Sequence, residues 1–102
     1  MVNEKLRKAL YEYFEGYDEE DMALILDNHA YDNSIIGLTE DDRLIYDYES
    51  MIREFMEDED CSYEEAQEWV DYNTMRALPY GGPKAPIIVS LTTKDLLERF
   101  GD

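Results

Sequence analysis

The feature that most constrains this chain is a strongly acidic stretch, residues 40–71, that also carries a helical pattern of apolar side chains. It holds fourteen of the 26 acidic residues and only two bases, so it contributes −12 to a net charge of −17. Tyr48, Met51, Ile52, Phe55 and Met56 have the spacing of one helix face. Because such a face can be buried, we expect a folded acidic surface rather than a disordered acidic tail.

A second helix is predicted to begin just after Cys61. Ser62 and Glu65 have the spacing of a capping box, with Ser62 as the N-cap. Two helices joined by so few residues form an antiparallel hairpin, apolar inside and anionic outside. The side chains that its spacing turns inward are Ala66, Trp69, Val70 and Asn73.

Shorter patterns surround this hairpin. Residues 3–17 have the period of an amphipathic helix that Gly16 helps to end, and residues 18–26 that of a short helix capped by Asp18. The apolar runs 34–38 and 43–46 predict a β-hairpin. The run 86–90 predicts a third strand, apolar throughout and so buried on both faces.

A last helix, capped by Thr92 or Thr93 and closed by Gly101, is expected to turn Leu96, Leu97 and Phe100 inward. The order of elements predicts one α+β domain over residues 1–102. Its small three-stranded sheet, antiparallel or mixed, would pack against the acidic helical hairpin and the flanking helices.

The net charge and the cysteine content of the chain limit its possible binding partners and its cellular compartment. A net charge of −17 repels nucleic acids and anionic membranes, so direct binding to either is not expected. Basic proteins, including those that bind nucleic acids, are attracted instead. One cysteine, Cys61, excludes an internal disulfide, and no stretch has the pattern of a signal peptide or a membrane span. We therefore expect a cytoplasmic protein.

Catalytic and metal-binding patterns are weak. Asp27, His29 and Asp32 have metal-ligand side chains, but their spacing matches no established site. Cys61 lies among acids that disfavour a reactive thiolate. We expect no enzyme and no cofactor, and a metal-dependent enzyme around Asp27, His29 and Asp32 is the third of three hypotheses.

The run 71–81, DYNTMRALPYG, followed by Pro86-Ile87-Ile88 and preceded by SYEEA at 62–66, resembles a family of small acidic proteins of gut Firmicutes and their phages. The resemblance covers roughly residues 31–90, and no enzymatic activity is known for that family. It implies a mobile-element setting. Small acidic phage proteins often inhibit host defence by imitating nucleic acid, and anti-CRISPR proteins are one such group.

The leading hypothesis is a nucleic-acid mimic that inhibits a basic DNA- or RNA-binding protein, such as a CRISPR effector nuclease. Two rows of carboxylates on one rigid face would replace phosphates. Tyr72 and Tyr80 would anchor the rim, whereas Trp69 and Tyr63 are assigned to the core. The alternative is a regulatory or scaffolding protein that binds through an apolar or dimer interface; the oligomeric state is left open. The carboxylates predicted to bind the partner are Asp47, Glu54, Glu57, Asp58, Glu64, Glu68 and Asp71.

Overall fold

The computed structural model describes residues 4–101, which form an α+β fold with a mixed three-stranded sheet. The central strand, Leu44–Asp47, pairs antiparallel with the strand that precedes it in the chain and parallel with the strand that follows it. In chain order the elements are α1 (Glu4–Tyr13), a 3-10 helix (His29–Ser34), β1 (Ile35–Leu38), β2 (Leu44–Asp47), α2 (Tyr48–Glu59), α3 (Tyr63–Trp69), a π-helix (Val70–Met75), a second 3-10 helix (Leu78–Tyr80), β3 (Ile87–Val89) and α4 (Thr93–Phe100).

The predicted β-hairpin and the third strand are confirmed, and their register gives the sheet two different faces. Tyr46 pairs with Ile35 on one side and Ile88 on the other, and all three belong to or pack against the core. A bulge between Ile35 and Gly37 places two residues of β1 opposite one residue of β2. The opposite face, here called the outer sheet face, carries Ile45, Ile87, Val89 and, paired with Val89, Asp47. The bulge residue Ile36, next to Gly37, is exposed at its border.

The third strand is not buried on both faces as its apolar sequence predicts. All three residues of β3 are only partly buried. Ile88 packs against the core, while Ile87 and Val89 lie outside the core cluster. The cause is that the helices that form the core cluster pack with Tyr46 and Ile88, so the outer sheet face has no helix layer from that cluster.

The core forms where α2 packs between the sheet, the first 3-10 helix and α3. Met51, Ile52 and Tyr46 are fully buried, and Phe55 is nearly so. Each side chain of this size stabilises the fold by about 1.5–3 kcal/mol on burial. The predicted apolar face of α2 is therefore confirmed as the centre of the core.

The helix predicted over residues 18–26 is wrong. Only a turn follows Asp18, and the chain then runs without a helix to Asn28. The backbone N–H of Leu24 donates to the Lys84 carbonyl, and that of Leu26 donates to the Tyr46 hydroxyl, each at 3.1 Å. Backbone partners elsewhere in the fold thus hold a stretch that is too short to form a stable helix alone.

The first helix is shorter than predicted. It ends at Tyr13, and the turn after it contains Gly16 with φ of +90°, a conformation that favours glycine. Leu10 and Phe14 are buried, while Tyr13 and Tyr17 remain exposed. The predicted start at Asn3 lies outside the described residues.

A buried ion pair joins α1 to the first 3-10 helix. Arg7 Nε lies 2.7 Å from Asp32 Oδ2, and Arg7 Nη2 lies 2.8 Å from Asp32 Oδ1. The same Nη2 donates to the carbonyl of Leu26 at 2.6 Å. The hydrogen bond to Asp32 raises the pKa of Arg7 above its ordinary value. This one side chain therefore fastens three parts of the chain together.

The last helix departs most from prediction. Thr92 caps it as expected and forms a capping box with Asp95. Leu96, Leu97 and Phe100, predicted to point inward, are 44%, 65% and 74% exposed. The opposite, polar side of α4 lies toward the body, where Asp95 and Arg99 line a cleft with residues of α2 and α3. Tertiary placement, which the helical period does not encode, decides which side of α4 is covered.

Removing the carboxylate of Asp32 is expected to destabilise the protein severely. Asp32→Ala leaves the buried Arg7 guanidinium without its partner, so the free energy of unfolding should fall by about 3 kcal/mol. Urea denaturation measures the change. Asp21→Ala, which removes an exposed carboxylate of the same kind, is the matched control and should change stability little. Equal effects of the two substitutions would contradict a structural role for the pair.

Stability is also expected to fall at alkaline pH because of Tyr46. Burial raises the pKa of Tyr46 from 10.0 to about 12. Since the folded state favours the neutral phenol, this contribution is intact below pH 10 and is lost as the pH rises toward 12. Urea titrations across that range should show a shallower decline for Tyr46→Phe than for the wild type. Parallel declines would show that Tyr46 does not titrate with unfolding.

Candidate binding surface

Exposed carboxylates collect where α2 ends and α3 begins. The last residues of α2 and the connecting turn supply four consecutive acids, and the outward side of α3 supplies two more, one helical turn apart. Ser62 fixes the start of α3 as predicted, because its hydroxyl accepts the Glu65 N–H at 3.2 Å. We call this set the hairpin acidic cluster; its members, all exposed, are Glu57, Asp58, Glu59, Asp60, Glu64 and Glu68.

The chain forms this cluster against local energetic preferences. The last turn of α2 contains no base, although the helix dipole favours cations there and disfavours carboxylates. Asp60 closes the helix with φ of 51°, a left-handed conformation that glycine adopts more easily. Both features cost stability. Local rules broken together at one surface often mark a functional surface.

The charge of the cluster is not neutralised within the chain. Among residues 4–101 the ion pairs are Arg7–Asp32 and the exposed pair Arg53–Glu49, and neither includes a member of the cluster. The thiol of Cys61, in the turn between α2 and α3, lies in the negative potential of these carboxylates. Burial raises the pKa of the Cys61 thiol, and the carboxylates of Glu65, Glu59 and Asp60 raise it further.

Two of the predicted site residues, Asp47 and Glu54, lie outside the hairpin acidic cluster: Asp47 ends β2, and Glu54 lies on another side of α2. Asn33 of the first 3-10 helix donates to Glu54 Oε2 at 3.3 Å. Glu49 instead accepts a hydrogen bond from Tyr63 of α3, and five residues of helix separate the directions of Glu49 and Glu54 by about 140°. Asp47 is partly buried before the first turn of α2. The seven predicted carboxylates therefore do not share one face.

Asp71, another of the predicted site residues, links the π-helix that follows α3 to α2. The hydroxyl of Tyr48 donates to Asp71 Oδ1 at 2.5 Å, just as Tyr63 donates to Glu49 Oε2 at 2.8 Å. Burial and then the bond to Asp71 raise the pKa of Tyr48, and the bond to Glu49 raises that of Tyr63. Tyr63 is partly buried against the core, whereas the carboxylate of Asp71 is committed to an internal contact.

An aromatic patch, formed by Trp69 and Tyr72, borders the hairpin acidic cluster. Trp69 is 51% exposed, and its ring stacks on Phe55 with centroids 5.6 Å apart. Tyr72, 62% exposed, lies in the π-helix that continues α3, and the two rings line a shallow depression of about 320 Å³ with Glu65 and Glu68. The assignment of Trp69 to the core is wrong.

Asn73, predicted inward, is exposed as well, because of the π-helix. Wider i→i+5 hydrogen bonding, seen from Arg76 N–H to the Asp71 carbonyl at 3.2 Å, breaks the 3.6-residue period after Trp69. The spacing of Trp69 one turn after Glu65 is the signal that could have placed it at the polar edge. Tyr80 is 90% exposed in the second 3-10 helix, outside the patch.

The weak metal-ligand pattern is not assembled into a site. Asp32 is engaged by Arg7, and His29 is exposed at the start of the first 3-10 helix. Within residues 4–101, no three side chains of His, Cys, Asp or Glu are grouped so as to hold a metal ion. Instead, the side chain of Asn28 caps the first 3-10 helix, and Asp32 ties that helix to Arg7 of α1.

Comparison with family models, with curated proteins and with solved structures gave no match to this chain. The resemblance to acidic phage-associated proteins thus stays a prediction. Over the part of the chain that the structure describes, no helix combines the length and apolarity that crossing a bilayer requires.

Replacing Asp60 by glycine is expected to stabilise the protein. Asp60→Gly removes both the cost of the left-handed conformation and one repelling charge, so the free energy of unfolding should rise by about 1 kcal/mol. Asp60→Ala, which removes the charge but keeps a Cβ atom, is the matched control and should gain less. If Asp60→Gly is no more stable than the wild type in urea, the account of a costly turn is wrong.

Proposed function

We propose that this protein binds a cationic groove of a nucleic-acid-binding protein and blocks it, with the hairpin acidic cluster in place of phosphates. The observation that carries the proposal is six exposed carboxylates on one short stretch, none of them paired with a base in the described part of the chain. The function needs no catalytic group. It needs only fixed negative charge, which helices α2 and α3 provide.

The spacing within the cluster suits this role. Glu64 and Glu68 are one turn apart, an advance of about 6 Å along α3, and the acids of the last turn of α2 lie closer still. These separations are shorter than the Debye length of about 8 Å at physiological salt, so the fields of the carboxylates add. A groove that binds the cluster would release counterions much as it does on binding a duplex.

The neighbouring aromatic patch would supply anchoring area at the rim. Trp69 and Tyr72 present exposed rings beside carboxylates, which suits the arginine and lysine side chains of a nucleic-acid channel. Arg76 lies over the Tyr72 ring, 5.2 Å from its centroid, so this ring already forms within the chain the kind of contact that a partner's guanidinium would make. Tyr80 would add a more distant contact.

The class of target that fits this acidic surface best is one that recognises nucleic acid by its charge and shape. CRISPR effector nucleases hold their guide–target duplex in a positively charged channel and are one such class. Inhibition of such an effector, in a phage counter-defence role, is the specific form of the proposal.

A regulatory or scaffolding role through an apolar interface is the second candidate function. The exposure of Leu97 and Phe100, at 65% and 74%, favours it, because apolar surface of this kind is typical of protein interfaces. The two candidates differ in their response to salt. Binding through the acidic cluster weakens as salt increases, whereas apolar binding does not.

Reversing charges in the cluster is expected to abolish inhibition. The test variant is Glu57→Lys with Glu64→Lys and Glu68→Lys, and the measurement is release of a labelled duplex from a panel of nucleic-acid-binding proteins that includes a CRISPR effector nuclease. The matched control, Glu12→Lys with Glu15→Lys and Glu19→Lys, makes the same change in net charge on exposed residues elsewhere.

The wild type and the control should displace the duplex from at least one panel member, and more weakly as salt rises. The cluster variant should lose displacement while keeping its circular dichroism spectrum. Equal displacement by the cluster variant and the control would show that net charge alone, or another surface, is responsible. No displacement from any member would reject the proposal for the classes in the panel.

A further inference from the structure

Two apolar surfaces of this fold are not covered by the described chain. One is the outer sheet face, bordered by Ile36, which is 53% exposed; its apolar members Ile45, Ile87 and Val89 are partly buried outside the core cluster. The other is the apolar side of α4, formed by Leu96, Leu97 and Phe100. A flat apolar sheet face and an amphipathic helix are the two layers that normally pack together in an α+β domain.

The orientation of α4 keeps its apolar side away from the core. Its polar side faces the body, where Asp95, Glu98 and Arg99 line a cleft with Glu49 and Arg53 of α2. No described element packs extensively along α4. Since its capping box fixes where the helix begins, α4 is a formed helix that presents three large apolar side chains to solvent.

The distribution of charge indicates what could cover these surfaces. The first 71 residues carry −18, while residues 72–102 carry +1. Ile87, Val89 and all of α4 lie in this second part, where Lys84, Lys94 and Arg99 balance the nearby acids. A basic partner is therefore drawn elsewhere, to the hairpin acidic cluster. A second copy of so acidic a chain meets least repulsion at α4 and β3.

We propose that this protein forms a symmetric dimer in which α4 of one copy packs on the outer sheet face of its partner, and the reverse. A two-fold arrangement uses each surface twice, so four apolar faces contribute. A stable interface of about 1,000 Å² then requires only about 250 Å² from each face. A phenylalanine alone can bury about 150–250 Å², and Phe100 is 74% exposed with two leucines beside it. The inference does not depend on the proposed function.

Sedimentation equilibrium over micromolar to submillimolar concentrations tests the dimer. The wild type should dimerise, and more tightly as salt increases, because salt screens the repulsion between two chains of −17 each. This response is opposite to that expected for binding of a basic target. A wild type that stays monomeric throughout would overturn the proposal and leave the proposed inhibition intact.

Substitutions identify the surfaces. Leu97→Gln with Phe100→Gln, and separately Ile36→Thr with Ile87→Thr, should each weaken dimerisation at least about tenfold. Leu38→Thr is the control, since Leu38 is exposed on the same strand but pairs with Leu44 of the core face. Far-ultraviolet circular dichroism checks that each variant folds. A dimer that neither double substitution weakens would overturn the proposed surfaces.

A crossed disulfide tests the reciprocal packing. Two variants on a Cys61→Ser background carry one new cysteine each, Leu97→Cys in α4 or Ile87→Cys in β3. Mixed under mild oxidation, they should form a heterodimeric disulfide faster than either variant forms one alone. A disulfide that forms instead within a single chain carrying both cysteines would show that α4 covers its own sheet, and would contradict the dimer.

Discussion

The ion pair between Arg7 and Asp32 shows the constraint on which the rest of this structure depends: cations are scarce, and three of the nine join separate parts of the fold. Arg7 joins α1, the segment ending at Leu26 and the first 3-10 helix. Arg43 donates to the carbonyl of Ala85 at 2.8 Å, and the ammonium of Lys84 donates to the carbonyl of Asp41. These two bonds join the β-hairpin to the loop before β3.

Because the chain has 26 acids and nine bases, and three of the bases hold parts of the fold together, few cations are left to pair with the exposed acids. Asp32, Asp71 and Glu49 accept hydrogen bonds from Arg7, Tyr48 and Tyr63 and so belong to the architecture. The hairpin acidic cluster has no such bonds to bases. It also occupies the end of α2, where the helix dipole and a left-handed Asp60 add to its cost. The carboxylates thus fall into two groups: one accepts hydrogen bonds that hold the fold together, and the other, the hairpin acidic cluster, is exposed and not paired with bases.

The sequence predicts this fold well where a periodic pattern coincides with burial. The apolar side of α2, the cap at Ser62, the β-hairpin and the cap at Thr92 all follow from local spacing. Three features could not be predicted that way. Backbone partners at Lys84 and Tyr46 hold Leu24 and Leu26 outside a helix, and a π-helix interrupts the period after Trp69. The polar side of α4, and not its apolar side, lines the cleft beside α2.

The candidate site shows the same limit in a different form. The acidic stretch and its helical spacing together predict a surface rich in carboxylates, and Glu57, Asp58, Glu64 and Glu68 are exposed around one turn. Helical spacing could not reveal that Glu54 meets Asn33 or that Asp71 meets Tyr48, because those contacts join elements far apart in sequence. The structure thereby gives the protein two separate kinds of surface, one anionic at the helical hairpin and one apolar at α4 and the sheet.

The uncompensated potential at the helical hairpin is the central claim, and the chain carries its own probe of it. Cys61 is the single cysteine, and Glu65, Glu59 and Asp60 all act on its thiol. The rate of alkylation as a function of pH gives the pKa of this thiol. At low salt it should lie above that of a free cysteine, and it should fall toward that value as salt screens the carboxylates. A pKa that does not change with salt would contradict an exposed, unneutralised acidic cluster.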